Sequence, residues 1–225
     1  MWGNLVNAIA IIVGGLAGTF FNKSLPERFQ SIVFQCMGLF VCVLGVSMAL
    51  KMEEILLCIL SLLTGGLLGE LLQLDVQMVK LGDWVKRRLK LKNLRFTEGF
   101  VTSSLLYCVG TMSILGAIEE GTGGYPSLLF TKSVMDGFSS IALASALGIG
   151  VVFSAFPVLI YQGAITLLAF LFGNLLDAGT IREISAIGGV MLVGLGINLL
   201  EIKQLRVVNL LPALIVIGVL RYFFV

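Results

Sequence analysis

Residues 7–18 read NAIAIIVGGLAG, and the pattern of this apolar run decides the class of the chain. The run lies inside a longer apolar stretch, residues 4–21, which is about the length that crosses the hydrocarbon core of a bilayer. Similar stretches recur along a chain that is 58% hydrophobic and 12% charged, with a mean hydropathy of +1.04. Soluble domains carry about twice that charged fraction. We therefore predict an all-α, polytopic membrane protein, because a membrane barrel would show alternating strands instead.

The apolar stretches predict about eight spans. The first has no basic residue ahead of it and no A-x-A-like cleavage site, so we expect a permanent span and not a cleaved signal peptide. The fifth and sixth are separated only by Gly148-Ile149-Gly150, so residues 127–150 are the candidate for a broken or re-entrant helix. The predicted spans are residues 4–21, 31–50, 54–73, 98–117, 127–147, 150–173, 184–200 and 206–224.

The distribution of basic residues predicts the orientation. An even number of spans puts both termini on one side, and if that side is outside, most lysines and arginines fall in the cytoplasmic loops. The outer segments then keep only Lys51, Arg182 and Arg221, and Glu119 and Glu120 are expected in a solvated outer loop. We predict that both termini are non-cytoplasmic.

One basic stretch does not read as a span. Residues 76–96, VQMVKLGDWVKRRLKLKNLRF, offer an apolar side and a strongly basic side. This pattern is typical of a helix that lies on the inner leaflet, with Trp84 at the level of the headgroups. A basic patch can also bind nucleic acid, but its place between two spans favours a connector, and we expect no nucleic-acid partner.

Two parts of the chain align with each other. The opening run 7–18 matches QGAITLLAFLFG (162–173), and MGLFVCVLGVSMAL (37–50) matches GGVMLVGLGINLLE (188–201). The predicted orientation makes the two copies inverted, a construction that is frequent in secondary transporters. The equivalent positions are Asn7 and Gln162, Gly18 and Gly173, Gly38 and Gly189, Gly45 and Gly196, Ser47 and Asn198, and Ser61 and Pro212.

The alignment predicts four segments. Residues 1–75 form a first three-span repeat, and residues 150–225 form a second, inverted one. Between them lie the basic connector, residues 76–96, and a central helix pair, residues 97–149.

The central pair carries FTKSVMDGFSS (130–140), in which Lys132 and Asp136 stand four residues apart. If this helix starts near Pro126, Asp136 lies on the order of 15 Å along it, near the middle of the bilayer. The pair is either a structural bridge or a site in which Asp136 binds a cation or a proton, since charges at that depth are costly. The candidate substrate or ion site is Asp136, Lys132, Gln162, Asn7, Ser140 and Asn198.

Small residues and prolines indicate packing and hinge positions. GGLAG (14–18) and GGLLG (65–69) place glycines four apart, which lets helix backbones approach closely in lipid. Prolines inside the sixth and eighth spans can break those helices. The predicted packing and hinge residues are Gly14, Gly18, Gly65, Gly69, Pro157 and Pro212.

Several motifs together resemble a known family. They are LVNAIAIIVGGLAGTFF (5–21), LLYCVGTMSILGAIEEG (105–121), KSVMDGFSS (132–140), GIGVVFSAFPVLIYQG (148–163) and VVNLLPAL (207–214). These are similar to the YdfK/YqgA-type bacterial inner-membrane proteins, over essentially the whole chain. The resemblance implies a multi-pass protein of the bacterial cytoplasmic membrane and implies no particular activity.

The leading functional hypothesis is a secondary transporter of a small solute or ion, with its site between the repeats. A channel with the same polar lining and a non-transporting scaffold are the alternatives. An enzyme is not expected, because the chain has no histidine and neither an H-E-x-x-H nor a G-x-S-x-G motif. The four cysteines lack metal-ligand spacing, so we expect neither a metal nor a cofactor. The glycine faces allow a homodimer.

Overall fold

The structure, a computed structural model, describes residues 1–22, 27–88, 90, 95–108, 111–172 and 178–224. Over these residues every regular element is a helix. The elements are α1 (Trp2–Asn22), α2 (Glu27–Ala49), α3 (Ile55–Leu72), α4 (Leu74–Arg88), α5 (Phe96–Cys108), α6 (Thr111–Gly121), α7 (Ser127–Leu147), α8 (Gly150–Phe153), α9 (Ala155–Phe172), α10 (Ala178–Leu199), a 3₁₀-helix (Val207–Leu210) and α11 (Pro212–Phe224).

Within the described residues, four helical segments are long and apolar enough to cross a membrane: 2–20, 55–72, 150–171 and 179–199. A fifth is added if α5 and α6, whose axes differ by 61°, count as one bent span. The 21 residues of α7 are also long enough for a crossing, although that helix carries two charges. The prediction of an all-helical membrane protein is confirmed at this level, and the count of eight spans stays a prediction.

Breaks in the helices differ from expectation at one place. The predicted span 98–117 is not one straight helix, since α5 ends at Cys108 and α6 starts at Thr111 in a different direction. The expected break at 148–150 is present, because α7 ends at Leu147 and Gly148 has φ +78°. Gly110 stands between the two helices in the sequence, but glycines are frequent inside membrane helices, so its presence alone did not predict the bend.

Two prolines lie at the beginnings of helices and not in their interiors. Pro157 is in the first turn of α9, after a turn at Ser154. Pro212 is the first residue of α11, after the 3₁₀-helix. At these positions the missing N–H has no intrahelical partner to lose, so neither proline breaks a hydrogen bond there.

The chain forms two compact units, the first made of residues 1–37 and 82–175. In this first unit α1 runs parallel to α7 at very close range. A Cβ atom at Gly14 would collide with the carbonyl oxygen of Gly137, and one at Gly18 with that of Ile141. In a bilayer the lipid tails are as apolar as the side chains, so there is no hydrophobic driving force between helices. Close contacts between small residues drive the association of helices instead.

Other contacts complete the first unit. α9 lies antiparallel to α1, since Asn4 bonds Thr166 while Asn7 bonds Gln162. α5 packs on α8, where Gly150 approaches the carbonyl of Phe96. The helices that carry the candidate site are thus held by close backbone contacts and by hydrogen bonds between buried side chains.

The second unit consists of residues 38–81 and 176–225. The second half of α2 crosses α10 in the antiparallel direction, with Gly38 against Gly196 and Gly45 against Gly189. α3 crosses α11 in the same sense, because Gly65 meets Ala213 and Gly69 meets Asn209. Glycines therefore form the closest contacts of this unit too.

The basic connector contains the helix α4. Gly82 is buried against Thr97, while Lys80, Arg87 and the indole of Trp84, 57% exposed, lie on the outside. The position of α4 on the inner leaflet stays a prediction. Leu89 and residues 91–94, which include Lys92, lie outside the described residues.

Candidate functional site

The two charges that the sequence singled out form an ion pair inside the first unit. Lys132 and Asp136 stand one turn apart on α7, and the Nζ atom of Lys132 donates to Oδ2 of Asp136. Their side chains are only 7% and 9% exposed. Each charge is therefore removed from solvent and depends on the other.

Carboxamides from α1 and α9 lie beside this pair. Asn7 donates from Nδ2 to Oε1 of Gln162 at 3.2 Å, and Asn4 donates to the hydroxyl of Thr166 at 2.9 Å. The Asn7 side chain also lies beside the carboxyl group of Asp136. Asn4, Asn7 and Gln162 are fully buried, so the three helices share a polar interior.

This interior has unused hydrogen-bonding capacity. Oδ1 of Asn4, Oδ1 of Asn7 and Nε2 of Gln162 are buried and have no hydrogen-bond partner. A buried polar atom without a partner costs about 1–3 kcal/mol, and most such atoms in proteins are satisfied. Their concentration beside an ion pair indicates a place where a polar ligand or water completes the bonding.

Tyr107 forms another wall of the site. It is in the last turn of α5, just before the bend, and is almost completely buried. Its hydroxyl and that of Ser140 are 2.8 Å apart, and the centre of its ring lies 5.7 Å from Nζ of Lys132. Sequence reasoning missed Tyr107 as a site residue. Its signal was a tyrosine inside a predicted span, where a buried hydroxyl needs a partner.

The structure brings most of the predicted site residues together in the first unit: Asp136, Lys132, Asn7, Gln162 and Ser140. Asn198 is the exception, because it belongs to the second unit. Its side chain accepts from the N–H of Leu205 at 2.7 Å and donates to the carbonyl of the same residue at 2.8 Å. That contact holds a turn between α10 and the 3₁₀-helix.

A second buried carboxylate was not predicted. Glu183 on α10 is completely buried, and its Oε1 accepts from the backbone N–H groups of Glu53 and Glu54 at 3.1 and 3.4 Å. The thiol of Cys58 donates to Oε2 at 3.2 Å. These donors stand at the start of α3, so Glu183 satisfies N–H groups that the helix itself cannot bond.

The side chains of Glu119 and Glu120 also accept hydrogen bonds at the N-terminal ends of helices. The prediction that these two residues lie in a solvated loop is wrong. Both lie in the last turn of α6. Glu119 accepts from the hydroxyl of Ser127 at 2.9 Å and the N–H of Leu128 at 3.1 Å, while Glu120 accepts from the N–H of Gly3 at 2.8 Å. α6 therefore caps both helices, α7 and α1, that carry the ion pair and the amides.

Among the described residues there is no group of three or more His, Cys, Asp or Glu side chains that could hold a metal ion. The site consists of one ion pair with amide and hydroxyl groups around it. Such a set can bind a small polar or charged molecule.

Comparisons with known proteins show the family of the chain. The family described as "Protein of unknown function (DUF554)" matches residues 2–222. "Uncharacterized membrane protein YdfK" of Bacillus subtilis (strain 168) is 33% identical over 220 residues, 96% of this chain and 93% of that protein. "Uncharacterized protein YqgA" of Escherichia coli (strain K12) is 32% identical over 218 residues, 95% of this chain and 93% of that protein. No solved structure matches the chain.

Proposed function

The chain belongs to the DUF554 family, and we propose that it is a secondary transporter of a small solute or ion across the bacterial cytoplasmic membrane. The site we assign is the ion pair of Lys132 and Asp136 with the amides of Asn7 and Gln162. One observation carries the proposal: a buried ion pair in the middle of α7 stands beside buried amide atoms that lack partners. An arrangement that costs stability in this way is typical of a binding site.

The cost is considerable because replacing a buried ion pair with apolar side chains is often neutral or stabilising. Unpartnered amide atoms add to it. A helix that only had to pack against α1 would do so with the glycines alone. The polar residues therefore require an explanation other than packing, and transport of a polar species supplies one.

The bend between α5 and α6 supports the same proposal. Binding sites in many transporters are formed where a membrane helix is interrupted, since the freed backbone groups can then face a ligand. Here α5 ends with Tyr107 and Cys108, and Tyr107 contacts the ion pair through its ring. The interruption thus occurs next to the buried charges.

We extend the proposal to an inverted repeat. In the alignment, Gly38 is equivalent to Gly189 and Gly45 to Gly196. Within the second unit, Gly38 contacts Gly196 and Gly45 contacts Gly189. Exchanging equivalent positions therefore turns one of these contacts into the other. Within the first unit, Asn7 and Gln162 are equivalent and bond each other. These pairs of equivalent helices are antiparallel. Two inverted repeats require this, because their equivalent helices cross the membrane in opposite directions. The further pair of Gly18 and Gly173 cannot be compared, because Gly173 lies outside the described residues.

The proposed topology has both termini on the non-cytoplasmic side. The basic residues of the connector support it, and so do the parallel directions of α1 and α7. A phosphatase fused to the C-terminus should be active and a fluorescent protein fused there should be dark. The opposite result would contradict both the topology and the span count on which the repeat depends.

A scaffold is the second candidate, and one observation favours it. Lys132 and Asp136 neutralise each other within one helix, as a purely structural bridge would. In that case a ligand is not needed, and removing both charges together should leave the protein intact.

Three variants separate the candidates: Asp136→Asn, Lys132→Met and the double variant. Breaking the pair leaves one buried charge alone and costs about 3–5 kcal/mol, which the double variant should recover. Thermal unfolding in detergent measures this. Uptake of radiolabelled alkali cations and amino acids into proteoliposomes measures transport.

A transporter predicts a stable double variant without uptake, whereas a stable and fully active double variant would end the proposal. Glu183→Gln is the control, because it alters a buried carboxylate in the other unit. Saturable uptake separates a carrier from a channel.

A further inference from the structure

We infer that the site binds a monovalent cation in the place that the ammonium group of Lys132 holds in this structure. The inference rests on the proposed function, since it concerns the same residues, and it names the class of ligand. It follows from what surrounds the Nζ atom and from the atoms that remain unpartnered nearby.

The Lys132 ammonium shows that the site accepts a compact positive charge. Nζ bonds the carboxylate of Asp136, and the face of the Tyr107 ring lies 5.7 Å away. A carboxylate on one side and an aromatic face on the other is a usual environment for an ammonium group or an alkali ion. The lysine therefore occupies a position that a free cation could occupy.

The unused atoms supply further ligands for a cation. Oδ1 of Asn4 and Oδ1 of Asn7 are fully buried acceptors, about one turn apart on α1, and neither has a partner. Carboxamide and carboxylate oxygens are the ligands that hard cations prefer. Only one unpartnered donor of this group, Nε2 of Gln162, would suit an anion.

The C-terminal end of α5 also favours a cation. Tyr107 and Cys108 are its last two residues, so the carbonyl end of the helix, which carries partial negative charge, lies at the site. The carbonyl of Tyr107 accepts a hydrogen bond from the hydroxyl of Ser113 at 2.6 Å. The local field thus favours positive charge.

Charge balance explains how a cation can enter. Lys132 lies in the second turn of α7 and has a long, flexible side chain that can extend toward the helix start. A cation that arrives as the ammonium leaves keeps Asp136 neutralised throughout. The exchange avoids a lone buried carboxylate, which is the costly state.

The test uses the purified full chain in detergent. Sodium, potassium or methylammonium chloride replaces N-methylglucamine chloride at constant ionic strength, and thermal unfolding is followed. We expect the melting temperature of the wild type to rise with saturation. In Lys132→Met the half-saturating concentration should fall about tenfold or more, because the internal competitor is gone. The order of the three cations distinguishes an alkali ion from an organic ammonium.

Asp136→Asn and the double variant should show no saturable rise. An equal rise in these variants, or none in the wild type and Lys132→Met, would overturn the inference. If Lys132→Met does not fold, Lys132→Gln replaces it, and binding of radiolabelled sodium and rubidium to the wild type decides. This experiment measures cation binding and not flux. Binding can therefore fail while solute uptake persists, and it can succeed while uptake is absent. Failure of this inference is thus distinguishable from failure of the proposed transport function.

Discussion

Asp136 and Glu183 are both buried carboxylates, but their environments differ. Glu183 receives its hydrogen bonds from two backbone N–H groups and a thiol at the start of α3. Asp136 is bonded by the side chain of Lys132 in the middle of α7, with the side chain of Asn7 beside it. The first set of donors is mostly fixed by a helix end, whereas the second is carried by side chains that can rotate.

The difference separates structure from function. A carboxylate held by backbone donors satisfies a helix end and has no reason to change partners. A carboxylate held by flexible side chains, beside amides with unpartnered atoms, can exchange one partner for another. Four sets of substitutions test this contrast, in order of decreasing expected effect.

Glu183→Ala should have the largest effect on stability. It removes the acceptor of three donors and leaves them buried, so unfolding should become easier by about 3 kcal/mol or more. Thermal unfolding in detergent measures the loss, and Glu183→Gln, which keeps one acceptor oxygen, should lose less. A Glu183→Ala protein as stable as the wild type but without uptake would reverse the assignment of roles.

Gly14→Ala and Gly65→Ala should each cost about 1–3 kcal/mol, because a new methyl group meets backbone atoms. Only Gly14→Ala should also reduce uptake, since it pushes α1 and Asn7 away from α7. Gly66→Ala is the control, as its nearest contact would be a flexible end of Leu210 at 3.2 Å. Equal losses of uptake in Gly14→Ala and Gly65→Ala would contradict the contrast.

Gln162→Met should change stability little and lower uptake. It removes the unpartnered buried Nε2 atom, which favours the folded state, but it also takes the acceptor away from Nδ2 of Asn7, so the two contributions should roughly cancel, to within about 1 kcal/mol, while uptake falls. Melting temperature and initial uptake rate are the two measurements. A variant that loses stability would indicate that Gln162 is a packing residue, and Gly163→Ala on the same helix gives the reference.

Tyr107→Phe should have the smallest effect on uptake. It keeps the ring near Lys132 and removes the hydroxyl that bonds Ser140, which costs about 0.5–1.5 kcal/mol. Ser140→Ala should cost a similar amount, and the double variant less than the sum. Strict additivity of the two melting shifts would mean that the bond does not contribute.

Sequence reasoning found what depends on local pattern. The predicted span 54–73 corresponds to α3, and 127–147 corresponds to α7, because apolar runs there end at polar or turn residues. Lys132 and Asp136 stood out by charge alone. Asn7 and Gln162 were paired by alignment, and the structure puts them in hydrogen-bond contact.

What the sequence did not reveal depends on contacts between distant segments. Glu183 looked like an ordinary residue ahead of an apolar run, and its donors lie 130 residues away along the chain. Tyr107 gained significance only from the position of α7. The bend after α5 occurs where the sequence has Gly110, but membrane helices often contain glycines, so this residue did not distinguish a bend from a continuous span.

The hydrogen bond between Asn7 and Gln162 also has a consequence for biosynthesis. The two residues are 155 positions apart, and a ribosome adds roughly 5–20 residues per second, so α1 leaves it roughly 8–30 seconds before α9. During that time α1 carries two asparagines whose partners do not yet exist. The translocon or an insertase must shelter this helix until its partners arrive, and slowing translation should expose it to quality-control proteases.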